Sequence, residues 1–333
     1  MAKKGQLLAS SLENENCKHP VIPTINFTKE NLNPGTQNWV STCNSVRKAM
    51  EEFGVFVAVY EDGDGILGSD LINSVFTSVE EFFNLPKETK QLYTDVMPGS
   101  GYFGEKPNSL IEAIGIGDST RYEPVQSLTK LMWPDGNDAF CETILNYTRE
   151  ASKLGEIVTR MIFESYGVEK YCDSYINSTS YLLRANSYKT AKANETNNVG
   201  IIPHTDTSFV SIVKENGVSG LGVKYSKDGT WIPITFPPSS FAIMAGDALL
   251  AWSNGRIQPC FHRVIMGKKA RRSLGLFCFH KGIVQVLEEL SDHTNEPLQF
   301  NSFDHFGLLK FRLRNPTLSS EERVKAFCGV KNI

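Results

Sequence analysis

His204 and Asp206 stand two residues apart in IIPHTDTSFVSIV (201–213), a run otherwise rich in Ile, Val, Phe and Thr. On an extended strand, residues i and i+2 project from one face, so an imidazole and a carboxylate at this spacing can meet a single cation. His262 is the histidine best placed to join them. The segment GDALLAWSNGRIQPCFHRV (246–264) reads as a strand, an Asn254-Gly255 turn and a returning strand that carries His262. Two imidazoles and one carboxylate on neighbouring strands occupy one face of an octahedral ion and leave the other open, which suits non-haem Fe(II) working with O2. The same ligands suit Zn²⁺ with an activated water. A third reading needs no metal: His204 and Asp206 bond to each other, and His262 packs in a hairpin. Spacing alone leaves all three open.

A second constellation follows on the next apolar run. In RRSLGLFCF (271–279), Arg271, Ser273, Gly275, Phe277 and Phe279 share a face. An arginine turned into a barrel needs an anion, and Arg271 with Ser273 can offer a carboxylate a charged pair plus a hydroxyl bond. The competing view makes Arg271 a surface residue beside Lys268, Lys269 and Arg272. In LLRANSY (182–188), Arg184, Asn186 and Tyr188 also share a face and supply further donors. A metal with open positions and an anion clamp one strand away together describe a ligand that chelates at one end and carries a carboxylate at the other. 2-Oxoglutarate fits that description.

The elements that must position these residues follow from periodicity. Trp39, Cys43, Val46, Met50 and Phe53 recur at helical spacing, predicting a helix over 37–53 closed by Gly54. VFVAVY (55–60) reads as a buried strand and VIPTINF (21–27) as an edge strand. Further helices are expected at 69–84, ending before Pro86, at 138–166, closed by Gly167, and near 319–328 with Ser319 or Ser320 as cap. Residues 94–136, rich in Gly, Pro and Ser, read as long loops, and 189–200 as a loop before His204. After residue 180, short β-branched and aromatic runs replace helical spacing, so that half is expected to be all-β. Gly63, Gly65 and Gly68 form G-x-G-x-x-G between a strand and a helix, the context of a dinucleotide site. No second strand ending in an acid follows, and Asp62 and Asp64 crowd the place of a pyrophosphate, which argues against that reading.

Bulk properties narrow the partners. The 333 residues carry 34 Lys and Arg against 37 Asp and Glu, a net charge of −3, so nothing draws the chain to nucleic acid or anionic lipid. A small neutral or weakly acidic ligand is expected rather than a polymer. Seven scattered cysteines without a C-x-x-C pair suit a reducing compartment, and neither a signal-type apolar stretch nor a run of about 18 apolar residues is present. The expectation is a cytoplasmic monomer with no membrane or nucleic-acid partner.

At these residues the chain resembles the Fe(II)- and 2-oxoglutarate-dependent dioxygenases of plants. The matching pieces are H-T-D (204–206), S-N-G-R (253–256), H-R-V (262–264), R-x-S at Arg271 and Ser273, and N-x-Y at Asn186 and Tyr188. VIPTINF (21–27), EEFGVFVAV (51–59), LPKETK (85–90) and GYFG (101–104) resemble the family's N-terminal half, so roughly 20–310 is covered. LMWPDGNDAFCETI (131–144) is similar to the AOP-like subgroup, whose members modify glucosinolate side chains, lignans and steroidal alkaloids. Two departures bear on loop shape: the family's N-H-G is YEDGDG (60–65) here, and Lys189 replaces a proline that often follows N-x-Y.

The resemblance implies a mainly β fold with flanking α-helices around a double-stranded β-helix, or jelly roll. Residues 1–20 are polar and expected to be disordered, and the expected division continues with an N-terminal region at 21–125, a long-helix region at 126–177, the jelly-roll core at 178–285 and a C-terminal helical region at 286–333. By the same resemblance His204, Asp206 and His262 bind iron. Arg271 and Ser273 take the distal carboxylate of 2-oxoglutarate, assisted by Tyr188 and Asn186. The implied reaction oxidises a C–H bond of a mostly apolar plant metabolite by hydroxylation, ring closure, desaturation or dealkylation, with release of succinate and CO2 and ascorbate as reductant. Candidate substrate contacts are Phe277 and Phe279, Arg184, and Ile114 and Ile116 from the loop NSLIEAIGIG (108–117). Each has a plainer reading: barrel core for the phenylalanines, a salt bridge for Arg184, and packing on the long helix for the isoleucines. The rival functions are a non-catalytic jelly-roll binder and a zinc hydrolase.

Overall fold

The structure, a computed structural model, describes residues 20–60, 67–94, 97–104, 109–190, 198–291 and 297–330. The expected disordered N-terminus, the first two glycines of G-x-G-x-x-G and most of the 189–200 loop lie outside them. The first half runs β1 (Thr24–Asn26), α1 (Gln37–Phe53), β2 (Val55–Val59), α2 (Ser69–Asn84), α3 (Lys87–Lys90), β3 (Gly101–Phe103), β4 (Ile111–Ile116), α4 (Tyr122–Met132), α5 (Asp138–Ser165) and α6 (Cys172–Asn177). The second runs β5 (Thr179–Tyr188), β6 (Val199–His204), β7 (Val210–Glu215), β8 (Leu221–Lys224), β9 (Trp231–Pro233), β10 (Ser240–Ala245), α7 (Asp247–Trp252), β11 (His262–Ile265) and β12 (Arg271–His280). The chain then passes β13 (Ile283–Val284), β14 (Phe303–Asp304), α8 (His305–Arg314) and α9 (Ser320–Cys328).

Eight strands form a major sheet in the order β1-β2-β10-β7-β12-β5-β4-β3, and four form a minor sheet, β6-β11-β8-β9. The major sheet is apolar on both faces. Val55 and Val57 of β2 and Ala242 and Met244 of β10 meet Leu221, Val223, Ile232 and Val264 of the minor sheet, while Phe56, Ala58, Phe241 and Ile243 join the larger core under α1 and α5. This double cover is why VFVAV and FAIMA show no polar alternation. The result is the expected jelly roll with flanking helices. Helix α5 lies close on the sheet because Gly155 has no side chain: a Cβ there would come within 3.1 Å of Cys278 Sγ and 3.2 Å of Ile212 Cδ1. Among the described residues, no helix is long and apolar enough to cross a membrane.

The helical expectations at 37–53, 69–84, 138–166 and 319–328 match α1, α2, α5 and α9. Gly54 closes α1 at φ 67°, and Ser319 with Glu322 forms a capping box on α9. Two expectations fail. Residues 94–136 are not long loops throughout, since β3 and β4 extend the major sheet past β5 and α4 follows. The strand expected before Asn254-Gly255 is α7, buried on every side. Ala and Leu are strong helix formers, and an apolar run this short has no period that separates a buried helix from a buried strand. Asn254 and Gly255 do take left-handed conformations, at φ 54° and 86°, but they follow a helix.

Candidate metal and cosubstrate site

A cavity of about 630 Å³, within the range of small-molecule sites, opens between the two sheets. His204, Asp206 and His262 converge on its wall, with one ligand atom from each all within 4.8 Å of one another. His204 ends β6 and pairs directly with His262, which begins β11. Asp206 does not continue the strand with His204. It sits in the crossing from β6 in the minor sheet to β7 in the major one, where its backbone carbonyl accepts from Asp247 N at 2.8 Å. His262 arrives from the turn after α7, not from a hairpin partner.

Hydrogen bonds behind the triad fix which atoms face inward. His204 Nδ1 lies 2.8 Å from Ile202 O, and His262 Nδ1 lies 3.0 Å from Cys260 O. A carbonyl only accepts, so each Nδ1 carries the proton and each Nε2 keeps a free lone pair. Ser211 donates to Asp206 Oδ2 at 2.8 Å, which leaves Oδ1 to face His204 Nε2 at 3.7 Å. The protonation states agree with this arrangement. Burial, reinforced by the neighbouring His262, pushes the His204 imidazole down to about 4. Burial would raise the Asp206 carboxyl, but His262, His204, Arg312 and the Ser211 hydroxyl outweigh it and hold the group below its usual value. A neutral imidazole beside an ionised carboxylate is the state a divalent cation requires.

Farther into the cavity, Arg271 and Ser273 of β12 face Tyr188 and Asn186 of β5 in register. Arg271 is almost fully buried, so it is not the surface residue of the competing view, and it already has a protein acid beside it. Glu215 Oε2 accepts from its Nε at 3.2 Å and its Nη2 at 3.0 Å, and Val218 O accepts from Nε at 3.1 Å. The third nitrogen, Nη1, is buried with no partner. Such an orphan donor is costly unless a ligand satisfies it. The guanidinium stands 5.0 Å above the Tyr188 ring, and Asn186 Nδ2 donates to Ser273 Oγ at 3.3 Å, so the serine hydroxyl is free to donate onward. A carboxylate in this corner would meet Nη1 and that hydroxyl, and the residues therefore fit the distal end of 2-oxoglutarate.

The remaining candidates divide by strand parity. Arg184, Phe277 and Phe279 line the cavity. Phe277 is partly exposed, while Phe279 is also committed to packing, stacked on Phe306 at 5.6 Å. Ile114 and Ile116 are corrected: both are buried in the large helix-side core. They lie opposite Ala185 and Leu183, whereas Ile111, of the other strand parity and opposite Tyr188, reaches the cavity. Sequence reasoning missed Glu215, Ser211, Arg312 and His305. Glu215 lies 56 positions from Arg271 (271 − 215), although its place at the end of a β-branched strand was a usable signal. His305 Nε2 lies 2.8 Å from Thr207 O, its Nδ1 accepts from His280 N at 3.0 Å, and so it fastens α8 beside the metal crossing. Arg323 of α9 pairs with Asp247 at 2.6 Å and donates to Thr205 Oγ1 at 3.1 Å, anchoring the other side.

Residues 179–280 match the 2OG-Fe(II) oxygenase superfamily, and residues 22–134 match the non-haem dioxygenase in morphine synthesis N-terminal family. The probable 2-oxoglutarate-dependent dioxygenase AOP1 of Arabidopsis thaliana is 38% identical over 299 residues, 86% of this chain and 90% of its own. The 2-oxoglutarate-dependent dioxygenase AOP3 of the same plant is 28% identical, covering 93% of this chain and 98% of its own. Among solved structures, the rice dioxygenase for auxin oxidation superposes with a TM-score of 0.78 at 26% identity, over 92% of this chain and 100% of that one. Identity of this extent, over a jelly roll with the same cofactor chemistry available at its centre, places the chain in the 2OG-Fe(II) oxygenase superfamily as a 2-oxoglutarate-dependent dioxygenase.

Proposed function

We propose that His204, Asp206 and His262 hold Fe(II), that Arg271 and Ser273 hold the distal carboxylate of 2-oxoglutarate, and that the enzyme oxidises a C–H bond of a mostly apolar plant metabolite. The observation that carries this reading is the buried, partnerless Nη1 of Arg271 in the same cavity as the converging triad. When bound, iron and 2-oxoglutarate supply the oxidising power, with succinate and CO2 released. The chain's own residues bind and orient. Asp206 contributes a charged oxygen steered by Ser211, the histidines contribute Nε2, and Tyr188 and Asn186 shape the carboxylate corner. Phe277, Phe279, Leu309 and Leu313 give the cavity apolar walls for an apolar substrate.

A zinc hydrolase gives Arg271 Nη1 and Ser273 no role. The six described cysteines are all buried thiols, which supports a cytosolic enzyme, and we take it to act as a monomer. The test is incubation with Fe(II), ascorbate, 2-oxoglutarate and ¹⁸O2 in a plant metabolite extract, followed by mass spectrometry. Substrate-dependent succinate formation, abolished in His204→Ala and Asp206→Ala, is expected. Equal succinate from both variants and the wild type would refute the site.

A further inference from the structure

Three arginines line the cavity, and among the described residues only Arg271 forms an ion pair with an acid. Arg271 is paired with Glu215. Arg184 of β5 gives Nε to Asn186 Oδ1 at 3.4 Å and lays its guanidinium 4.5 Å from the centre of the Phe103 ring. Arg312 of α8 gives Nη1 to Thr207 Oγ1 at 3.0 Å. Among the described residues neither has a carboxylate partner, and their remaining N–H groups have no protein acceptor. Both stand near the metal triad. Burial weakens the hold of Arg184 on its proton, and the charge of Arg312 works in the same direction against the pull of Tyr188 and Asp206. Both side chains are partly buried, and two guanidinium groups facing one cavity repel each other, a repulsion that an anion between them would offset.

Strand register places Arg184 at a different end of the cavity from Arg271. Arg271 lies opposite Tyr188, and Arg184 lies opposite Gly275, four residues along β12. At about 3.4 Å per residue this is a backbone separation of roughly 14 Å, and the side chains are held to different partners, Arg271 to Glu215 and Val218 O and Arg184 to the Phe103 ring. Phe277, the next cavity-facing residue, and Leu309 and Leu313 of α8 surround the Arg184 end, and Leu313 is 60% exposed although it lines the cavity. The charge balance points the same way. Fe(II), the Asp206 carboxylate, a 2-oxoglutarate dianion and the Arg271–Glu215 pair together carry one negative charge, and Arg184 with Arg312 turn this into one positive charge. A singly charged anion would bring the closed site to neutrality.

We propose that Arg184 and Arg312 clamp an oxyanion, a carboxylate or a sulfate, on the apolar organic substrate. The clamp rests on the Fe(II) and 2-oxoglutarate reading above, and narrows the substrate to an amphipathic acid held with its C–H bond toward the triad. Guanidinium groups suit this task because they give paired N–H donors to two oxygens of one oxyanion, and α8 brings one of them from a part of the chain far from the barrel strands.

The experiment uses the full chain loaded with Zn(II) and 2-oxoglutarate, which does not turn over, and ligand-observed NMR titration of matched probes. The probes are 4-phenylbutyrate against its methyl ester, and naphthalene-2-sulfonate against the sulfonamide, so that carboxylate and sulfate chemistry are read separately. At least one anion should bind about tenfold or more tighter than its neutral partner. Arg184→Ala and Arg312→Ala should each remove about tenfold or more of that affinity and leave the neutral probe and 2-oxoglutarate unchanged. Arg312→Lys should recover part of it, and Arg184→Gln serves if the alanine variant fails to fold. Wild-type protein that binds neutral and anionic probes alike, or variants that weaken both equally, would overturn the clamp. A fall in 2-oxoglutarate affinity in the variants would overturn it too, by assigning the arginines to the cosubstrate. Wild-type protein that takes up neither metal nor 2-oxoglutarate would sink the underlying site, a distinct result from failure of the clamp.

Discussion

Replacing Arg271 by alanine does two separable things. It removes the donor edge that awaits the cosubstrate, and it strands Glu215, a carboxyl that burial already pushes upward despite its arginine partner. Truncating one side of a buried charged contact costs about 2 to 5 kcal/mol of binding, or about 30- to 5,000-fold in the dissociation constant for 2-oxoglutarate. Breaking the resident ion pair costs folding stability of about 3 to 5 kcal/mol, because the pair is 1% and 2% exposed and water cannot replace the arginine. The two effects part in a second variant. Arg271→Ala combined with Glu215→Gln removes the stranded charge, so stability should return toward that of the wild type while 2-oxoglutarate binding stays weak. Urea denaturation reads the first and anaerobic titration of 2-oxoglutarate into the Fe(II) protein reads the second. Recovery of cosubstrate affinity in the double variant, or undiminished affinity in Arg271→Ala, would refute the division of labour between the two edges of the guanidinium.

Ser211→Ala removes the donor that orients Asp206 and should weaken Fe(II) binding roughly 10- to 100-fold without altering the fold, as measured by anaerobic metal titration. His305 gives a pH dependence. Burial, reinforced by His280 and opposed by the hydrogen bond to Thr207 O and by Asp304, pushes its imidazole from the ordinary 6.5 down to about 4, so the unfolded chain takes up the proton first. Its contribution is complete above about pH 6.5 and drains away as pH falls toward 4, by about 3 kcal/mol in all. Urea midpoints should therefore fall with acidity across that window, and His305→Gln should flatten the slope. Arg323→Met breaks the 2.6 Å pair with Asp247 and should cost about 3 to 5 kcal/mol, with faster amide exchange in α9 as the local sign.

What could be read from the chain followed from short-range regularities. His204 and Asp206 are two residues apart, the Arg271 face repeats every second residue, and Gly54 and Gly167 stand where left-handed backbone closes a helix. Failures came where the period was absent or the partner distant. DALLAW is too short and too apolar for its helix to differ from a strand, and the isoleucine-rich β4 was hidden in a stretch rich in Gly, Pro and Ser. Ile114 and Ile116 were assigned to the cavity because a loop has no parity, and a strand does. Glu215, Arg312, His305 and Arg323 act on residues 56, 105, 98 and 118 positions away, distances over which sequence spacing holds no geometric information.

The most direct test is diffraction at the iron absorption edge from crystals grown anaerobically with Fe(II) and 2-oxoglutarate. One anomalous peak bonded to Nε2 of His204, Nε2 of His262 and an oxygen of Asp206, with the cosubstrate's far carboxylate on Arg271 Nη1 and Ser273, is the expected result. A peak elsewhere, or a cosubstrate turned away from Arg271, would contradict it.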